Sequence, residues 1–261
     1  MRSIHIGWPA NALGLCLLLC GLAAPSAGWA GAAPKVRLMP PPWTRARKAT
    51  GPLTVDGALD ESAWAKGPWN SWFSVVTTDP AKRGYAKVQT RFRTLYSDEA
   101  LYVGVECADP TIGALKLATT ADTLTQGDCI ELFIDPAASG QGYHHLVVNT
   151  KGIVASAYRT RAGPSPDARW RCTAEAKGAI DATKGHWSVE LRIPFATMRF
   201  PAKLSDEWRI NVARRRYAGG ALELTSWSTL PKASFHVPRR FGTLVGFHLD
   251  FRRFRRPDPA P

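Results

Sequence analysis

From about residue 53 onward the chain consists of short runs of alternating polarity broken by Gly, Pro, Asp and Ser, with hardly any apolar spacing of helical period. KVQTRFRTLYS sets Val88, Thr90, Phe92 and Thr94 against charged neighbours, and after the turn SDEA the run LYVGVECAD alternates through Leu101, Val103, Val105 and Cys107. These two runs predict a hairpin. GDCIELFIDP, HHLVVNT and IVASAYRT follow, the last two joined by a short turn at Lys151 and Gly152, and then WRCTAEAK, HWSVELRIPF, EWRINVARRRY, ELTSWSTL and FGTLVGFHL. About ten strands with no helices to cover a parallel sheet predict an all-β fold: one antiparallel β-sandwich, with jelly-roll-like or immunoglobulin-like layering, over residues 51–248. One short helical turn is expected in LDESAWAKG, with Asp60 capping its first N–H groups.

The two ends read differently. Residues 1–30 hold Arg2, an apolar run containing LGLCLLLCGLAA and then SAGWA, the pattern of a cleavable signal peptide ending at Ala30, which predicts a secreted or periplasmic protein. A lipoprotein anchored through Cys20 is disfavoured because Leu19 stands where a small residue is wanted. No stretch reaches the length of a transmembrane segment. Residues 31–50 are rich in Pro and basic residues and read as a linker, and residues 249–261 as a basic C-terminal tail.

The 261 residues include 34 Lys and Arg against 21 acidic residues, a net charge of +13. Much of the excess is clustered at 214–216, at 239–240 and in FRRFRR at 251–256, which suits an anionic envelope polymer or acidic polysaccharide and carries no signal of specific nucleic-acid reading. Removing the leader leaves Cys107, Cys129 and Cys172, open either to one disulfide plus a spare thiol or to three buried apolar fillers.

Glu131 interrupts the most apolar strand. Strand parity puts Ile130, Leu132 and Ile134 on one face and Cys129, Glu131, Phe133 and Asp135 on the other, so the second face predicts a shallow, partly dry binding surface on which the carboxylate must find a partner: an Arg, a metal ion or a ligand hydroxyl. An ion pair with Arg91, Arg93 or Arg214 is the structural alternative to a ligand hydroxyl. Glycosidase chemistry is excluded for the pair on this strand, because Glu131 and Asp135 lie about 13 Å apart along it and hydrolysis needs carboxyls about 5 to 9 Å apart. Glu190 could approach Glu131 only across the fold. His144 and His145 point to opposite faces and cannot serve one ion together.

LTVDGALDESAWAKGP, SDEALYVGVECADP, QGDCIELFIDP, YHHLVVNTKG, HWSVELRIPF, EWRINVARRR and SWSTL, in this order over residues 52–247, resemble the family 9 carbohydrate-binding modules and their DOMON-like relatives. The resemblance implies a non-catalytic sugar-binding β-sandwich, accessory to polysaccharide breakdown, often found beside xylanases and often carrying structural calcium. It assigns sugar contact to Glu131, with Asn149, Arg214, Trp227 and Phe235 as the other carbohydrate-binding candidates. An aromatic plate expected before GDCIE is replaced by Leu124–Gln126, and a basic residue and a Gln of the family pattern are replaced by Val147 and Ala213. For calcium, Asp109 and Asp128 are the candidate ligands among loop carboxylates. Two other functions compete: a haem b electron-transfer domain, for which only Met39 and Met198 remain as axial methionines after the leader, and an envelope adhesion protein held by its Arg-rich tail.

Overall fold

The period-two pattern is realised as two stacked sheets. The computed structural model describes residues 38–160, 170, 172–201 and 204–255. In chain order the strands are β1 Trp43–Arg45, β2 Arg47–Lys48, β3 Ser74–Val75, β4 Thr90–Tyr96, β5 Ala100–Ala108, β6 Cys129–Asp135, β7 Gly142–Val148, β8 Val154–Thr160, β9 Glu175–Asp181, β10 His186–Pro194, β11 Trp208–Arg216, β12 Glu223–Ser226 and β13 Gly242–Val245. The larger sheet runs β1-β13-β11-β6-β7-β8, with β12 and β3 attached beside β11, and the smaller runs β2-β4-β5-β10-β9. Pairing is antiparallel except where β1 lies parallel to β13 and β2 parallel to β4. The predicted β4–β5 hairpin is present, with Phe92 opposite Val105.

Alternation decides what lies between the layers. Ile130, Leu132 and Ile134 of β6, Ile210 and Val212 of β11, and Leu146 and Val148 of β7 join Leu101, Val103 and Val105 of β5 and Val189, Leu191 and Ile193 of β10 in one buried cluster. Each such side chain contributes about 1.5–3 kcal/mol on burial. Trp227 belongs to this core, packed edge-on to Phe92 at 5.0 Å, and Met198 fills space in it.

Each sheet is also covered on its outer face. Over the smaller sheet lies the segment with Leu53, Val55, Leu59 and the one-turn helix α1, Ser62–Ala65; Ala63 and Trp64 are buried there against Leu95, Ala100 and Tyr102. The helix starts one residue later than expected, with Glu61 at the N-cap and no side-chain cap bond, so Asp60 does not play the capping part. Over the larger sheet lie Val76, Leu230, Phe235 and Phe241, packed on Phe133, Tyr143 and Ala213.

The chain ends of the domain are more ordered in pattern than their composition indicates. Part of the segment read as a linker forms β1 and β2, joined at the buried Ala46, whose N–H donates to the Val245 carbonyl at 2.8 Å. The segment read as a tail begins with a 3₁₀ turn, Phe251–Phe254, that buries both phenylalanines against Phe195, Phe200 and Trp208. The expected signal peptide, residues 1–30, lies outside the described residues. Cys107, Cys129 and Cys172 are free thiols: Cys107 faces the core while Cys129 packs on the other side of the larger sheet with Leu124 and Val147. Burial pushes the Cys107 thiol up to about 11, so it is inert as a nucleophile.

Candidate functional site

Glu131 sits on the outer face of the larger sheet at its centre, between Val147 of β7 and Ala213 of β11. The shallow, partly dry binding face expected here is instead covered: Cys129, Glu131, Phe133 and Asp135 are all buried, with the carboxylate only 1% exposed, because Val76, Leu230, Phe235 and Phe241 pack over this side of the sheet. Its partners are neither Arg91, which pairs with Glu106, nor Arg93 nor Arg214. Arg215 Nε donates to Oε1 at 2.5 Å, and His145 Nε2 lies 2.7 Å from Oε2. Burial alone would raise this carboxyl's pKa; the His145 hydrogen bond and the charge of Arg215 outweigh it and hold Glu131 down to about 2.

His145 reaches Glu131 diagonally, because its directly opposite residue on β6 is Phe133. The two rings stack at 4.6 Å with 7° between planes. Arg159 Nε donates to His145 Nδ1 at 3.3 Å, which leaves the ring proton on Nε2, facing the carboxylate. His236, on the loop after β12, meets the His145 ring edge-on at 5.1 Å, and its Nδ1 is hydrogen-bonded with the Tyr143 hydroxyl at 2.9 Å. Burial, then the neighbouring His145, Arg159 and Arg215, push the His236 imidazole down to about 4, so it is neutral at physiological pH. Phe235 lies beneath the Arg215 guanidinium, 5.7 Å from it. Beside this cluster opens a pocket of about 320 Å³ walled by Tyr143, His236, Thr160, Gly140 and the chain from Val237 to Arg239.

The five sugar-binding candidates are thus not brought together. Glu131 and Phe235 share the outer face. Arg214 alternates with Ile210 and Val212, so its guanidinium enters the sandwich interior, donates to Asp109 Oδ2 at 2.6 Å and to the Ala108 carbonyl, and lies over the Trp187 ring. Trp227 is a core residue. Asn149 is spent on the β7–β8 connection: its Nδ2 donates to the Ala118 carbonyl at 2.9 Å and its Oδ1 accepts from Lys151 N. Sequence reasoning missed Arg215, His145 as the partner of Glu131, His236, Tyr143 and Arg159. For Arg215 the signal was present in NVARRR, since a strand with Ile210 and Val212 inside must turn its neighbour of Arg214 outward.

The calcium candidates do not fit an ion. Asp109 is clasped by Arg214 and Arg216 and by the Thr111 hydroxyl, and Asp128 accepts from the backbone N–H groups of Lys116 and Tyr217. Positive charge and N–H donors already occupy the carboxylate oxygens that a hard cation would need. Glu131, His145 and His236 do place three donor atoms within 4.8 Å of one another. The proton on His145 Nε2 and the guanidiniums of Arg159 and Arg215 oppose a cation there. His144 points to the opposite face, as expected, and both its ring nitrogens are engaged, with the Ile134 carbonyl and with Arg199 N–H. Met198 is buried in the core and Met39 is half-exposed at the surface, where its carbonyl accepts from Arg240. Glu190 faces outward from the smaller sheet and accepts from Trp64 Nε1 at 3.1 Å and from the N–H groups of Asp56 and Gly57, far in fold terms from Glu131.

A family model described as carbohydrate family 9 binding domain-like matches residues 55–246. No curated protein matches the chain. A solved Bacteroides uniformis protein, named for an inferred carbohydrate-binding role, aligns over 78% of this chain and 98% of its own at 15% identity and a TM-score of 0.60. A family 9 module from Caldicellulosiruptor kristjanssonii, solved with cellotriose, aligns over 78% of this chain and 95% of its own at 19% identity and a TM-score of 0.53. The same organism's family 9 module with glucose aligns over 84% and 98% at 17% identity, also with a TM-score of 0.53. These likenesses show a shared fold.

Proposed function

Because this chain belongs to the carbohydrate family 9 binding domain-like family, a non-catalytic sugar-binding one, we propose that it binds a neutral oligosaccharide at the pocket beside the Glu131 cluster and serves as an accessory to polysaccharide breakdown outside the cytoplasm. The observation that carries this reading is the set of groups converging on that pocket. Tyr143, His236, Thr160 and Arg239 line one hollow, and aromatic, hydroxyl and cationic side chains together suit the apolar C–H side and the hydroxyls of a pyranose.

Glu131 then acts at one remove. Sealed beneath His145 and Arg215, it cannot accept a sugar hydroxyl without their displacement, so it fixes the His145 tautomer and the Arg215 side chain and is a positioning residue. The cellotriose and glucose bound by the C. kristjanssonii modules make short β-glucans the first ligands to try. Calorimetric titration of the protein with cello-oligosaccharides and xylo-oligosaccharides tests the reading, with His236→Ala and Arg239→Ala in parallel. We expect saturable heat from at least one series and a loss of about tenfold or more in affinity for each variant at unchanged Tm, the scale of one or two lost hydrogen bonds. Wild-type affinity in both variants, or no heat from the wild type, overturns it.

A further inference from the structure

Much of the basic clustering most visible in the sequence is spent within the fold. Arg214 and Arg216 hold Asp109, Arg215 holds Glu131, Arg240 donates to the Thr229 and Met39 carbonyls, Arg252 pairs with Asp250 and Arg253 with Glu99. Unmatched positive charge lies instead along the arm that joins the sheets. Two adjoining hollows, of about 340 and 250 Å³, follow β1 and β2 and share Arg45, Arg47, Lys66 and Leu95 as walls. One adds Lys48 and His248, the other Arg93, Asn70 and Trp43, and among the described residues no acidic side chain lines either. Among the described residues Arg45, Arg47 and Lys66 have no ion-pair partner, whereas Lys48 pairs with Asp98.

Two glycines give these arginines their seats. Gly67 and Gly246 have φ of 108° and 96°, backbone that favours glycine. A Cβ on Gly67 would stand 2.9 Å from Arg47 Nε, and one on Gly246 would stand 2.6 Å from Arg45 Cγ. Each arginine side chain therefore lies directly against a glycine backbone. The two arginines flank the buried Ala46 and so emerge on one face. Beside them the Trp43 ring is 70% exposed, a cost in water that a stacked partner would relieve.

We infer that this groove is a second binding site, for an acidic glycan whose uronate carboxylates are gripped by Arg45 and Arg47. Guanidinium takes a carboxylate through two parallel N–H···O bonds, Lys66 adds a point charge, and Trp43 stacks on a sugar ring. The inference takes from the preceding reading only that the domain handles carbohydrate; the site itself is separate. Each hollow is on the scale of a sugar unit or two, unlike the long continuous track of a nucleic-acid strand.

Titration of the purified protein with oligogalacturonate, at low and at high salt, tests it against the variant carrying Arg45→Gln, Arg47→Gln and Lys66→Gln. The triple variant should lose about tenfold or more in oligogalacturonate affinity, the loss expected from removing charged hydrogen bonds, and wild-type affinity should fall with salt. Cello-oligosaccharide titrations should be the same in both proteins. Should the triple variant fold poorly, Trp43→Ala, at an exposed position, should lose oligogalacturonate affinity severalfold at unchanged Tm. Wild-type affinity in the substituted proteins, no oligogalacturonate heat at all, or equally tight uptake of a single-stranded oligodeoxynucleotide of matched charge overturns the site. A protein that binds oligogalacturonate in this salt- and Arg-dependent way but takes no neutral sugar supports the groove while removing the His236 pocket.

Discussion

Glu131 and Glu190 are the same residue in corresponding places: each stands on the outward side of a strand inside its sheet, each is essentially solvent-free, and each is roofed by a segment that crosses its sheet. Their surroundings differ in charge. Glu190 has only uncharged donors, Trp64 Nε1 and two backbone N–H groups, and burial raises its carboxyl to about 6. Gly104 opposite it has no side chain, and a Cβ there would collide with Leu59 and Trp64, so the roof can press down onto the strand. Glu131 has a guanidinium and an imidazole and stays ionised. The first carboxylate is a staple that fastens a loop. The second organises a polar cluster beside an open pocket, and charge complementarity, not burial, separates the two.

The contrast can be broken most forcefully at Glu131. Glu131→Ala leaves Arg215 and His145 without their anion and should cost about 3 kcal/mol of stability, read as a lower urea midpoint; Glu190→Gln, which keeps an acceptor for its neutral donors, should cost far less. A change of equal size in the two would erase the distinction.

Next in size is the opposite response to acid. Glu190 binds its proton more readily when folded than its ordinary value of 4.5, so its contribution favours the fold below about 4.5 and declines by about 2 kcal/mol as pH rises to about 6. Glu131, held at about 2, favours the fold above 4.5 and loses that contribution as pH falls towards 2. Urea denaturation across pH 3 to 7 (roughly the window these two groups span) should show Glu190→Gln removing the decline on the neutral side while leaving the acid limb. If the substitution leaves the neutral-side slope as it was, Glu190 is not the group responsible.

The smallest effect sharpens the Glu131 side alone. Tyr143→Phe removes the 2.9 Å bond to His236 and should cost about 1 kcal/mol in stability, together with a drop in cello-oligosaccharide affinity that Glu190→Gln does not share.

The fold was legible because alternation over ten runs leaves few other ways to bury Ile130, Leu132, Val103 and Val189. The short edge strands β1 and β2 were not, since five residues around Ala46 carry too little pattern and their basic, Pro-rich setting resembles a linker. At the site, the parity that put Glu131 outward also put Arg214 inward and Arg215 outward, and only the first of these was drawn. The Glu131–His145 pair needed the register of β6 on β7, which places Phe133 opposite His145, and no local pattern fixes a register. His236 arrives from a loop whose path depends on tertiary packing, and Trp227 and Asn149 looked functional because packing and turn-making use the same residue types.

The Trp43–Lys48 arm has a bearing on how the molecule behaves among copies of itself. β1 and β2 are the outermost strands at one border of each sheet, three and two residues long and rich in Arg and Lys. Short, charged borders are poor templates for adding a foreign strand. Behind them lie β13 and β4, the latter with a long, partly apolar backbone ladder whose free side would otherwise face outward. The arm therefore shields part of both borders, three residues of β13 and two of β4, and a proteolytic cut that strips it would leave those backbone groups open to a partner strand.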